Sequence, residues 1–167
     1  FSYSILDSSS RYIYIKEKLI RVVARTLFAL TEHAKVSKFK PIVHEKPFGK
    51  RDDKSTTDEE KALPALEIEL ENRRKMILRG QIDRIDAYEE KNSVYLRVVD
   101  YKSSSRDIDL NEVYHGLSLQ LLTYLDVALK NAPLLLPEAE KEIIVAPAGM
   151  LYVHVHDPLL RLDEVVD

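Results

Sequence analysis

The chain has 167 residues, 45% of them hydrophobic and 32% charged, with a formal net charge of -3. That length suits one domain with a real core, and no apolar run approaches the roughly 18–20 residues of a membrane span. The absence of cysteine excludes a disulfide scaffold and any thiolate-bound zinc or iron–sulfur site within the chain. The mildly acidic balance argues against gripping nucleic acid by bulk electrostatics, so a polyanion must be met by a local patch, a metal ion or a partner. The chain opens on Phe1 without a leader pattern and closes on Arg161–Asp167, which reads as a domain (1–167) excised from something longer.

Ser8-Ser9-Ser10 precedes Leu19, Val22, Val23, Leu27 and Leu30, whose spacing predicts an amphipathic helix over 10–36 with a serine N-cap. Pro41 to Phe48, β-branched and bounded by prolines, predicts an edge strand. Residues 49–63 are charged and hydroxylated without apolar periodicity, which predicts a mobile, solvated loop. Residues 64–130 are expected to form the main body. Strands are predicted around Ala65–Leu70 and Met76–Tyr88, then a turn at Glu89–Ser93 and a returning strand at Val94–Lys102. Asp109, with Glu112 three residues on, opens a predicted buried helix reaching about Lys130. Residues 131–147 form a proline-punctuated connection, and a final strand is expected over 148–157. The fold class is α/β of the α+β type, a mixed central sheet flanked by helices.

The chemistry concentrates in Gly80-Gln81-Ile82-Asp83-Arg84-Ile85-Asp86 and Val99-Asp100-Tyr101-Lys102-Ser103. Alternation puts Asp100 and Lys102 on one face of their strand. A turn centred near Lys91-Asn92 sets Asp83 across from Asp100, and Asp86 across from Arg97 as an exposed pair. A slip of one residue would exchange Asp83 and Asp86. Opposed carboxylates repel unless a cation lies between them, and hard oxygen ligands suit Mg²⁺ or Mn²⁺. A nearby lysine could hold the attacking water while the metal polarises a phosphoryl oxygen. For a lone D-x-K, a cross-strand charge ladder is the better reading.

The wider pattern changes that balance. Gly80-x-Ile82-Asp83-Arg84-Ile85-Asp86, Asp100-Tyr101-Lys102-Ser103 and Gln120-x-x-x-Tyr124 together resemble the RecB-type nucleases of the PD-(D/E)xK superfamily, with a restriction-endonuclease-like core. Glu32–Lys35 through Gly49, Gly116–Leu125 and Leu151–Pro158 are similar to the nuclease domains of AddB-type subunits of bacterial helicase–nucleases. The resemblance runs from about residue 10 to 160. It implies an Mg²⁺- or Mn²⁺-dependent exonuclease in a cytoplasmic bacterial machine that unwinds DNA with ATP and resects double-strand breaks. It also implies an AddA-like helicase/nuclease partner subunit and a DNA strand fed from a duplex end, the 5′-ended one for this subunit. Carried over by position, Asp83 and Asp100 would be metal ligands, Lys102 the catalytic lysine, and the Tyr101 carbonyl a further ligand. Gln120, Tyr124, Ser103 and Glu45 would support the site or the DNA.

Two departures stand out. The family's 4Fe-4S cluster needs four cysteines that this chain lacks, so its ligands would flank this region in a full-length subunit. The superfamily's motif histidine belongs to an upstream helix, and His33 is a poor substitute. Rival readings are an idle nuclease-like binding module and a stand-alone RecB-type exonuclease of the CRISPR-associated kind. His154 and His156 share a strand face but have no evident third ligand.

Overall fold

The computed structural model describes residues 9–49, 62–104, 108–116, 118–137 and 143–156. By contact these fall into two units, one holding 9–37, 102–104 and 154–156, the other the remaining described residues. In the first, helix α1 (Ser10–Val36) occupies the span that its periodicity predicts, opened by the Ser9 hydroxyl accepting the Tyr12 N–H. None of its residues is buried.

The second unit is built on a sheet. Strands β1 (Lys40–Phe48), β4 (Gly80–Glu90), β5 (Ser93–Lys102) and β6 (Ile144–His154) lie in the order β1-β4-β5-β6. Between them in sequence, β2 (Leu66–Glu69) and β3 (Lys75–Leu78) pair separately as a small antiparallel ribbon. Both β1 and β5 run antiparallel to β4. Strand β6 runs with β5, because Ile144 donates to Asn92 at one end and Val155 to Lys102 at the other. The sheet is therefore mixed, as expected. Its edges explain its prolines: Pro41 and Pro47 sit in β1 and Pro147 in β6, where one side of the strand has no ladder to break.

The central strands carry the core. Ile82, Ile85, Val94, Leu96 and Val98 are buried together with Phe48 and with Leu121, Val127 and Ala128 of α3 (Gln120–Lys130). Each such aliphatic side chain contributes about 1.5–3 kcal/mol. Short helices α2 (Leu110–Tyr114) and α4 (Ala132–Leu135) flank α3.

Four expectations need correction. The strand predicted over Met76–Tyr88 divides at Arg79, since β3 belongs to the ribbon and β4 to the sheet. The helix predicted from Asp109 to Lys130 breaks in two: Asp109 does cap α2, accepting from Asn111 and Glu112, but Gly116 at φ +73° ends that turn. The expected burial of that segment shrinks to Leu121, Val127 and Ala128, with Leu119 and Leu122 exposed. The final strand begins at Ile144, earlier than expected, and is described as far as His154. Residues 50–61 of the predicted loop lie outside the described residues; its ends are joined, Gly49 donating to Leu63 at 2.9 Å and Leu63 to Pro47 at 2.9 Å.

Candidate active site

The β4–β5 hairpin fixes the site. Glu90 pairs with Ser93 across a two-residue turn, and Lys91 adopts the left-handed φ of +53° that such a turn needs. From there the register runs Asp86↔Arg97, Ile85↔Val98 and Arg84↔Val99. One step further along the same register stand Asp83 and Asp100. There Asp83 Oδ2 accepts the backbone N–H of Tyr101 at 2.9 Å, which brings its carboxylate to the peptide joining Asp100 to Tyr101. Asp100 is 1% exposed. The slipped register, with Asp86 in this place, is absent.

The other face of the hairpin holds a network that the sequence pattern had placed in solvent. Asp86 is 0% exposed and Arg97 8%, so the expected exposed pair is in fact a buried one. Arg84 grips Asp86 with two parallel bonds, Nε to Oδ1 at 2.5 Å and Nη2 to Oδ2 at 2.9 Å. Arg97 reaches the same Oδ2 through Nε at 2.9 Å and Nη2 at 2.8 Å, and its guanidinium lies 4.5 Å from the centre of the Phe39 ring. Arg84 Nη1 donates to the Tyr101 hydroxyl at 3.2 Å. Burial by itself would lower the Arg84 pKa. The hydrogen bonds to Asp86 and Tyr101, with their charge, outweigh burial and raise it.

Gly80 and Tyr124 meet through Phe48. A Cβ on Gly80 would lie 2.9 Å from Phe48 Cε1, and the Phe48 ring packs edge-on against Tyr124 at 5.9 Å between centroids. Gln120 and Tyr124 share one face of α3, the glutamine amide donating to the phenol at 3.0 Å. On β1, Glu45 falls between the pairs His44↔Arg84 and Lys46↔Ile82, level with Asp83. Its φ of +49° is left-handed, and its carboxylate accepts from the Gln81 amide, two residues along β4 from Asp83. Lys102 is the last residue of β5, two beyond Asp100, with its carbonyl bonded to Val155; Ser103 follows, exposed. The His154 and His156 rings pack edge-to-face at 5.5 Å. Among the described residues no three histidine or carboxylate side chains form a group able to hold a metal alone. Sequence reasoning therefore found Asp83, Asp100, Gln120 and Tyr124 but missed the Arg84–Asp86–Arg97 network. The only signal for it was the repeated arginine and aspartate at alternate positions.

Mg²⁺ is held in many sites by one or two carboxylates, with water and substrate phosphate completing the shell. A pair of hard carboxylates beside a main-chain carbonyl fits that demand, and thiolate chemistry does not arise in a chain without cysteine. A family model described as the PD-(D/E)XK nuclease superfamily matches residues 3–166. The chain belongs to this superfamily. Its mixed sheet with helices is that of a PD-(D/E)XK nuclease fold. It is 57% identical to the B subunit of the ATP-dependent helicase/deoxyribonuclease of Lysinibacillus sphaericus (strain C3-41), over 98% of this chain and 13% of that protein. The corresponding B subunits of Bacillus cereus (strain G9842) and Oceanobacillus iheyensis are each 45% identical over 95% of the chain, covering 13% and 12% of their lengths. The chain thus spans about an eighth of the length of these relatives.

Proposed function

We propose that this chain is the metal-dependent DNA-cleaving module of an AddB-type subunit, hydrolysing phosphodiester bonds within an ATP-driven helicase–nuclease. The observation that carries this is the Asp83 carboxylate held on the Tyr101 N–H, at the peptide leading out of buried Asp100. Asp83, Asp100 and the Tyr101 carbonyl would hold Mg²⁺ or Mn²⁺, which when bound polarises the phosphoryl oxygen and acidifies water. Lys102, two residues from Asp100 in β5, would hold the attacking water and balance charge gathering on the phosphate. Gln120 and Tyr124 would place the DNA strand, their side chains fixed by their mutual bond and by Phe48. Glu45 and Ser103 would support the site from neighbouring segments.

The names of the relatives extend the reading to a partner: an AddA-like companion subunit, a strand fed from a duplex end, and resection of double-strand breaks in the bacterial cytoplasm. Cleavage would be exonucleolytic and fall on the 5′-ended strand. A 4Fe-4S cluster, if the full subunit has one, draws no ligand from this cysteine-free chain.

Calorimetry with Mn²⁺ tests the metal site, and end-labelled DNA tests the cleavage. We expect Asp100→Ala to lose the Mn²⁺ isotherm, and Asp83→Ala and Lys102→Ala to abolish cleavage of one strand while unwinding continues. An unchanged isotherm in Asp100→Ala would refute the site.

A further inference from the structure

Tyr101 is engaged at two points. Its N–H donates to Asp83 Oδ2 at 2.9 Å, and its phenol oxygen accepts from Arg84 Nη1 at 3.2 Å. Arg84 is itself closely held. Its backbone lies between His44 on β1 and Val99 on β5, and two of its nitrogens are locked on Asp86. Asp86 in turn is pinned by Arg97, which packs on Phe39. The Cα pairing of β4 with β5 closes at Arg84↔Val99. From Asp100 onward these two contacts to Tyr101, one on each face, tie the strands together.

We propose that Arg84 is a positioning residue for the candidate metal site, acting through the Tyr101 phenol. Holding the ring on the far face fixes the rotation of β5 about its axis at Tyr101. That rotation decides where the Tyr101 N–H points, and with it the Asp83 carboxylate. It also decides where the Tyr101 carbonyl and the adjoining Asp100 lie. The fork geometry of the guanidinium suits this role, since Nε and Nη2 are committed to Asp86, which leaves Nη1 in one plane and one direction, toward the phenol. A lysine keeps the charge and loses that direction. Partners behind metal ligands typically set affinity by about ten- to a hundredfold. Arg84 acts one link further back, so a loss of about tenfold is expected.

The role of Arg84 rests on the metal-site reading, and the experiment separates the two. The measurements are Asp100-dependent Mn²⁺ binding and hydrogen–deuterium exchange of the peptide spanning Asp100–Lys102, the latter without metal, in the full protein that carries this chain. Tyr101→Phe removes the phenol oxygen and leaves Asp86 between its two arginines, so it should fold. We expect it to weaken Mn²⁺ about tenfold and to speed exchange of that peptide several-fold in the metal-free state. Arg84→Lys should do the same, and adding Tyr101→Phe to it should change neither measurement further, as for two residues in one chain of contacts. Should Arg84→Lys fail to fold, Tyr101→Phe alone decides. A Tyr101→Phe protein with a lower melting temperature but wild-type exchange and wild-type Mn²⁺ affinity makes the contact merely structural and overturns the proposal. If Asp100→Ala keeps the full Mn²⁺ isotherm, the metal site itself fails.

Discussion

Asp86→Ala takes the one anion from between two guanidiniums, and its cost follows from where they lie. Asp86 is 0% exposed and accepts from both Arg84 and Arg97, the latter only 8% exposed. Removing one partner of a buried ion pair costs about 3–5 kcal/mol, chiefly because the remaining charge is left unmatched. Arg84 keeps some contact with solvent and Arg97 keeps the Phe39 ring, so the lower end, about 3 kcal/mol, is expected. For a chain of this size that is a fall of roughly 6–12 °C in melting temperature. Asp83→Ala should behave in the opposite way. It loses the bond to Tyr101 N–H, about 1.5–3 kcal/mol for a charged acceptor. It gains back part of that by ending the repulsion with Asp100. Thermal unfolding of the two variants, beside cleavage of strand-labelled DNA below both midpoints, gives the comparison. Asp86→Ala should be the fragile protein that still cuts, and Asp83→Ala the sturdier protein that does not. An Asp86→Ala variant that melts within about 2 °C of wild type yet has no cleavage would refute this division of roles.

Gly80→Ala should destabilise by about 1–3 kcal/mol in urea titration, because its Cβ meets the Phe48 ring at 2.9 Å, and adding Phe48→Leu should recover part of the loss. Tyr124→Phe removes an exposed helix-face bond worth about 0.2–0.5 kcal/mol, so stability should hold while KM for single-stranded DNA rises. Arg84, whose pKa burial would lower but its bonds to Asp86 and Tyr101 raise, stabilises fully below the unfolded guanidinium's pKa and loses that only as pH climbs through its higher folded value. The difference in urea midpoint between wild type and Arg84→Ala should therefore stay flat from about pH 6 to about pH 10. A slope within that window would contradict the assignment.

The register of the hairpin was legible because two local signals agree. A polar pair at Lys91-Asn92 marks the turn, and period-two apolar positions on both sides leave one alignment that buries Ile85 with Val98. The same alternation hid the network behind it. Arg84, Asp86 and Arg97 at alternate positions look like a solvent-facing ladder, and periodicity says which residues share a face, never what covers it. Strand β6 began early for a related reason: Pro147 and Gly149 read as loop residues, yet an edge strand tolerates a proline on its open side. In the Asp109–Lys130 segment the density of leucines outweighed Gly116, whose φ of +73° divides it. The role of Lys102 was legible only through its spacing from Asp100.

The motif Asp83-Arg84-Ile85-Asp86 then has a physical explanation that does not depend on any relative. Alternation in β4 sends Asp83 to one face and Arg84 and Asp86 to the other, with Ile85 filling the core beside Asp83. In β5 the same alternation places Asp100 opposite the side of Tyr101 and Arg97. Two carboxylates therefore gather on the face proposed for the metal, while two guanidiniums and one carboxylate, a net positive set, lie behind the same strands. Repulsion between Asp83 and Asp100 works to part the strands; the buried pairings on the far face oppose it. Tyr101 joins both sides, by its N–H to Asp83 and its phenol to Arg84. An arginine at position 84 thus serves the opposite face from the aspartate preceding it, and the order of the two residues matters as much as their presence.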